Sequence, residues 1–134
     1  MTKLYLFLLL PCLTCACTNL TRQEQMTLHH LKGQGVTIDR PAGSFEPPAS
    51  PLAAGAMNFL PGFGNFYLAA GNGGDSSHWL YGGLNLLTWP FSVLWGVPEA
   101  SIDATKINQR EMIYYYQFEP QGKKELSQAG VTLE

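Results

Sequence analysis

Glu111-Met112-Ile113-Tyr114-Tyr115-Tyr116-Gln117-Phe118 is the stretch on which the fold class turns. An isoleucine and four aromatics crowd into eight residues, a composition suited to a pleated, half-buried surface. The segment reads as a strand, with Tyr115 on the face opposite Tyr114 and Tyr116. Tyrosines left exposed there would make a protein-contact patch, whereas buried ones would pack sheet against helix. Two shorter runs are candidates to flank it. Leu31 to Asp39 and Leu126 to Glu134 both read L-x-x-x-G-V-T-aliphatic-acid. Each joins a helix, a glycine stop and a β-prone triplet, Val36-Thr37-Ile38 or Val131-Thr132-Leu133. The echo is either a common local way to end a helix, or two strands on either side of 111–118. The expected fold is α+β: an apolar helical hairpin plus a small sheet of about three short strands with flanking helices.

Outward from that strand, Asn19 to Lys32 reads as a helix opened by a capping box. In Thr21-Arg22-Gln23-Glu24, Thr21 and Glu24 satisfy each other's backbone N–H groups. Leu20, Leu28 and Leu31 fall near one side, and Gly33 or Gly35 ends the helix. Residues 40–51 hold four prolines and read as an extended linker. Pro98 opens a further helix with Glu99 and Asp103 in its first turn and Ile102, Ala104 and Ile107 inward. Glu119-Pro120-Gln121-Gly122 is a turn, and Lys123 to Ala129 a short helix.

Charge is distributed very unevenly. In the 52 residues between Glu46 and Glu99 the only formally charged side chain is Asp75. Such a segment is not an ordinary solvated surface. Two apolar runs, 52–70 and 79–97, flank the turn signal Asn72-Gly73-Gly74-Asp75-Ser76-Ser77, and together 52–97 forms an apolar hairpin. Pro61-Gly62, Gly82-Gly83 and Pro90 interrupt the runs, so neither makes a good span of about 30 Å of hydrocarbon. Three arrangements are open: a hairpin dipping into one leaflet, which is preferred, a full span, or a compact apolar core. The expected membrane contacts are Phe63, Phe66, Tyr67, Trp79, Trp89 and Trp95, since Trp and Tyr suit the interface.

The start of the chain points the same way. Met1-Thr2-Lys3 is a short cationic segment, Leu4 to Leu10 is apolar, and Pro11 closes it. That run is too short to cross a bilayer and matches an export signal. Leu13-Thr14-Cys15-Ala16-Cys17 then supplies a small residue before a cysteine, the pattern of a bacterial lipoprotein signal, and Cys17 is the expected lipid-attachment residue. Residues 1–16 are the signal, and 17–134 form one mature domain of 118 residues whose single cysteine is consumed by lipid. No disulfide is then available to the fold. With Thr18 rather than Asp after the cysteine, the outer membrane is expected over the inner, on the periplasmic side. An inner-membrane span would also put the 72–78 turn, which lacks Lys and Arg, on the cytoplasmic side, against the positive-inside tendency.

Leu60-Pro-Gly-Phe-Gly-Asn-Phe-Tyr-Leu-Ala69 and Trp89-Pro-Phe-Ser-Val-Leu-Trp-Gly-Val-Pro98 resemble a group of uncharacterised bacterial lipoproteins with LPGxGNFYLA and WPxSxxWGxP segments. That resemblance implies no activity. The same block is similar to small two-helix membrane-hairpin domains with a G-x-x-x-F-Y-L-G turn, although Ala69 stands at the last glycine.

Chemistry-bearing constellations are sparse. His29 and His30 are adjacent, so on a helix they point about 100° apart and do not share a metal. Asp75, Ser76, Ser77 and His78 occupy one turn, an arrangement that solvates a turn more readily than it builds a nucleophile with its base. The glycines at 62–64 and 71–74 lack the lysine and preceding strand of a phosphate loop. The chain is therefore expected to carry no catalytic site, metal or cofactor. Without Lys3, seven basic side chains stand against ten acidic, a net charge of −3 with no basic patch, and no nucleic-acid partner is expected. The expected partners are membrane lipid, through acylated Cys17 and the hairpin, and an envelope protein. The expected function is that of a membrane-anchored envelope lipoprotein in a structural or accessory role. The alternative is a small apolar-ligand module or enzyme using 52–97 as a cavity.

Overall fold

The computed structural model describes residues 18–71 and 74–133, so Cys17 and the signal stretch 1–16 lie outside the described residues. Among the described residues six helices follow one another: α1 Arg22–Gly33, α2 Pro51–Met57, α3 Phe63–Ala70, α4 Ser77–Leu87, α5 Val93–Phe118 and α6 Pro120–Gln128. Among the described residues there is no sheet, only an isolated bridge between Thr37 and Arg40. The α+β expectation with its three strands is overturned, and the described residues are all-helical.

The correction begins at the tyrosines. Residues 111–118 are the last two turns of α5, a helix of 26 residues. Gly96, Ala100, Ala104, Asn108, Met112 and Tyr116 are buried at four-residue intervals, with Glu99, Asp103 and Ile107 beside them. This stripe starts well before Glu111 and runs through it, so packing along one helical face overrides the β preference of Ile and Tyr. Tyr114 faces outward against Phe118, their ring centroids 5.2 Å apart, while Tyr116 is buried. The helix also begins earlier than its proline suggests: Val93 starts it and Pro98 lies inside.

The two echoed segments turn out to be helix stops and not strands. Gly35 (φ 84°) and Gly130 (φ 74°) take the left-handed conformation. Val36 N–H then donates to the Leu31 carbonyl at 2.9 Å, and Val131 N–H to the Leu126 carbonyl at 3.0 Å. Both are Schellman closures. They turn Val36 and Val131 into one core with Leu28, Leu31, Phe45, Met112, Ile113, Tyr116 and Leu126. At the other end of α1 the capping box forms, with Thr21 N–H donating to Glu24 at 2.6 Å.

The proline-rich segment is a strap clamped to α5, not a free linker. The Tyr116 hydroxyl accepts from Ala42 N–H at 2.8 Å and donates to the Ala42 carbonyl at 3.1 Å. The Asn108 amide accepts from Ala49 N–H at 2.9 Å and donates to the Ala49 carbonyl at 2.7 Å. Glu125 accepts from the Ser44 hydroxyl at 2.8 Å and from Tyr115 at 3.0 Å. Hydrogen bonds from Gln121 and Ser44 hold its carboxyl down at about 2. The strap thus delivers α2 to the N-terminal half of α5.

Both apolar runs are broken, so 52–97 is not a two-helix hairpin but a pair of shorter ones. α2 and α3 join through the turn 58–62, while α4 and the start of α5 join through 88–92, which contains a cis Trp89–Pro90 bond. α2 and α3 pack on α5, and α4 packs on α3. Gly62, at φ 84°, lies so close to Gly82 that an added Cβ would stand 2.2 Å from the Gly82 carbonyl oxygen. Gly64 similarly abuts the Ala54 carbonyl, at 2.1 Å. Glycine is thus required where the first turn crosses α4 and where α3 meets α2.

Candidate functional site

Within 52–97 the usual arrangement of side chains is reversed. Large apolar residues point outward: Phe59, Leu60, Phe63, Trp79, Leu80, Leu86, Leu87, Trp89, Phe91 and Leu94 are all more than half exposed. The scarce polar residues point inward, and Asn58, Asn65, His78, Asn85 and Ser92 are buried. In water this order costs free energy on both counts. It suits a surrounding medium of hydrocarbon, where the only place to satisfy a polar group is inside the protein.

Those inward groups form two layers. Near the turns, Asn58 donates to the Gly96 carbonyl and accepts from Gly64 N–H at 3.0 Å. The Ser92 hydroxyl donates to the Asn85 carbonyl at 2.7 Å, and the Trp95 indole donates to the Asn85 side chain at 3.0 Å. The first turn is thereby fastened to the start of α5 and the second to the end of α4, with Trp95 and Asn85 joining those two helices. The Asn58 amide both donates and accepts here, whereas the Asn85 side chain accepts from Trp95 and its buried nitrogen has no partner among the described residues.

Deeper in the fold, His78 is fully buried among Thr18, Asn65 and Asp103, all with 0 % exposure. Nδ1 of His78 lies 3.3 Å from Asn65 Oδ1 and 4.0 Å from an Asp103 oxygen, and Nε2 lies 3.3 Å from the Thr18 hydroxyl. Acceptors face Nδ1, which assigns the proton to that nitrogen and leaves Nε2 to accept from Thr18. Burial pushes the His78 pKa below its usual value, opposed by Asp103 and Asp75 and reinforced by Arg110. Thr18 N–H donates to Asp103 Oδ1 at 3.3 Å. The next residue is held as well, since Lys106 donates to Asn19 at 3.1 Å. The N-terminal edge of the described chain is therefore tied to His78 in the apolar block and to Asp103 of α5, 60 and 85 residues away in sequence.

Dimensions follow from α5, which runs from the apolar end into the charged half. Leu94 and Asp103 are nine residues apart, and Leu94 and Lys106 twelve. At 1.5 Å per residue these are about 14 and about 18 Å. Half of a hydrocarbon core is about 15 Å. The apolar end, measured from Leu94 to the Thr18 layer, thus has about the height of one leaflet, and Lys106 lies one turn further along α5. Among the described residues no helix is long and apolar enough to cross a membrane. α4, the apolar helix after the turn, has 11 residues and covers about 16 Å.

Of the residues expected to meet lipid, Phe63, Trp79 and Trp89 are exposed. Phe66 is half-buried between Phe63 and Trp79, at centroid distances of 6.0 and 5.5 Å, and its ring covers Gly82. Trp95 turns its indole N–H inward to Asn85, and the Tyr67 hydroxyl accepts from Ser50 N–H of the strap at 3.0 Å. Sequence reasoning missed the outward Leu87, Phe91 and Leu94 and the whole buried polar set. A signal for the latter exists: His78, Asn85, Ser92 and Glu99 fall every seven residues, and Asn58 and Asn65 are also seven apart. The turn Asp75–His78 does not assemble as a unit. Asp75 caps Ser77 N–H at 3.0 Å, which lowers its pKa, while His78 points into the block. Among the described residues no group of three His, Cys, Asp or Glu is placed to hold a metal.

A hollow of about 790 Å³ lies between the strap, α1, α3 and α5, lined by Lys32, Ile38, Pro48, Tyr67 and Asn108. Compared with protein-family models, curated proteins and solved structures, the chain matches none.

Proposed function

We propose that this protein is a bacterial envelope lipoprotein held twice in one leaflet, by an acylated Cys17 and by the apolar end of 52–97 inserted as a wedge. The observation that carries the reading is the reversed packing, with Leu87, Trp89, Phe91 and Leu94 outward and Asn58, Asn65, His78 and Asn85 inward. The lipoprotein signal ending at Cys17, the one-leaflet height of the wedge and the absence of formal charge on its outer surface support it. The half made of α1, the strap, the end of α5 and α6 then stands outside the hydrocarbon. Its role is structural or accessory, presenting a small helical domain at the periplasmic face of the outer membrane to an envelope protein.

Metabolic labelling with an alkyne fatty acid, combined with fractionation, tests this. Wild type takes up label and sediments with membranes. Cys17→Ala loses the label yet stays in the membrane pellet after a high-salt wash, because the wedge remains. Undiminished labelling of Cys17→Ala, or wild type in the soluble fraction, overturns the proposal.

A further inference from the structure

The hollow beside the strap has two formally charged residues in its wall, Lys32 and Asp39, and they are of opposite sign. Both are exposed, and among the described residues neither side chain takes part in an ion pair. Local structure holds both backbones in place. Lys32 lies in the last turn of α1, just before its glycine stop, and Asp39 lies in the tight turn closed by the Thr37–Arg40 bridge. Ile38, Pro47, Pro48 and Pro51 supply apolar wall between them and α5. At about 790 Å³ the hollow falls in the range of about 300–1,000 Å³ occupied by small-ligand sites. One cation and one anion on a partly apolar wall suit a zwitterion, whose two charges each meet a partner as they leave water.

Depth decides which zwitterion. Thr105, Asn108 and Gln109 of α5 line the hollow, and they lie 11, 14 and 15 residues after Leu94. At 1.5 Å per residue that is about 17 to 22 Å from the tip of the wedge. Headgroups occupy the layer from about 15 to about 22 Å from a bilayer midplane. With the tip at the midplane and α5 along the membrane normal, this wall faces headgroups. The wall also reaches deeper. The Pro51 carbonyl accepts from the Ser101 hydroxyl at 3.0 Å, and Ser101 is seven residues, or about 10 Å, from Leu94. Leu52 follows, 82 % exposed on the outer surface. The hollow thus extends from headgroup depth to hydrocarbon depth, a path that a phospholipid fills and a free zwitterion does not.

We propose that this hollow binds a zwitterionic phospholipid, its phosphate on Lys32 and its ammonium on Asp39, with the acyl chains running down past Pro51 and Leu52. The site rests on the wedge reading above and adds to it which lipid stands beside the wedge. A lipid held between the strap and α5 fixes how the wedge is turned within the leaflet.

Native mass spectrometry tests this on the full chain, released from micelles that hold phosphatidylethanolamine and phosphatidylglycerol in equal amounts. Flotation with vesicles of the same two lipids is run in parallel. Wild type should retain phosphatidylethanolamine over phosphatidylglycerol by about threefold or more. Asp39→Lys makes both charges of the hollow positive and should reverse that preference. Lys32→Gln should lower retention of both lipids. Flotation should be unchanged in either variant, because the wedge is untouched. Equal retention of the two lipids by wild type, or a preference that Asp39→Lys leaves as it was, overturns the site and leaves the wedge standing. Wild type that fails to float overturns the wedge and the site with it.

Discussion

Replacing Leu87, Trp89, Phe91 and Leu94 together by serine strips the outer surface of the wedge tip. These side chains are 82, 62, 68 and 79 % exposed, equivalent to about three complete side chains. Moving one such side chain from water into an apolar medium is favourable by about 1.5–3 kcal/mol. On the proposed insertion the tip would contribute about 4–9 kcal/mol to membrane binding, or about three to six powers of ten in partitioning. One saturated acyl chain gives only marginal, reversible binding, whereas two anchor durably. The fourfold variant with Cys17 intact should hence remain membrane-bound, and the same variant in a Cys17→Ala background should float free of vesicles. Flotation of purified protein with liposomes reads both. Folding should hardly change, because none of the four residues fills the core. Exposed substitutions of this kind shift stability by about 0.5 kcal/mol or less each, which denaturation in mild detergent checks. If Cys17→Ala alone is released completely, or the combined variant stays bound, the wedge does not contribute this energy and the reasoning fails.

Tyr116→Phe removes both bonds to Ala42 and should cost about 1–2 kcal/mol, loosening the strap; unchanged denaturant midpoints would show that the strap is held elsewhere. Gly62→Ala demands a left-handed alanine, worth about 1–2 kcal/mol, and forces its Cβ into the Gly82 carbonyl. It should therefore lower the melting temperature more than Gly83→Ala, where an added Cβ meets nothing within 4 Å. His78 is held neutral by burial, so the folded state binds its proton less readily than the unfolded chain. Stability that is complete above the ordinary histidine pKa of 6.5 should fall as pH drops below it, by no more than about 1.4 kcal/mol per pH unit. His78→Gln should flatten that part of the profile, and an identical slope in wild type and variant would contradict the neutral assignment.

Local devices were readable from sequence because they depend on neighbours in the chain. The Thr21–Glu24 capping box and the glycine stops at Gly35 and Gly130 are of this kind, and the structure contains all three. What followed the stops was misread, since Val36 and Val131 clasp a core and do not pair in a sheet. The tyrosine run was misread for a related reason. Its β preference is local, whereas the buried stripe that makes it helical begins at Gly96 and becomes visible only over several turns. In 52–97 the near absence of charge was plain, but hydropathy says how apolar a segment is and not which way it faces. The direction is carried by a few polar side chains seven residues apart, diluted among leucines and aromatics. The tie from Thr18 to Asp103 spans 85 residues, and no sequence spacing announces it.

Depth-dependent quenching of Trp89 tests insertion most directly. Trp79→Phe and Trp95→Phe leave Trp89 as the sole indole, and circular dichroism confirms that the helices persist. The lipidated protein is then placed in vesicles whose lipids carry bromine either near the headgroup or far down the acyl chains. An inserted wedge requires blue-shifted Trp89 emission, quenched more strongly by the deep bromines than by the shallow ones. Emission like that of a water-exposed indole, untouched by either quencher, would contradict it.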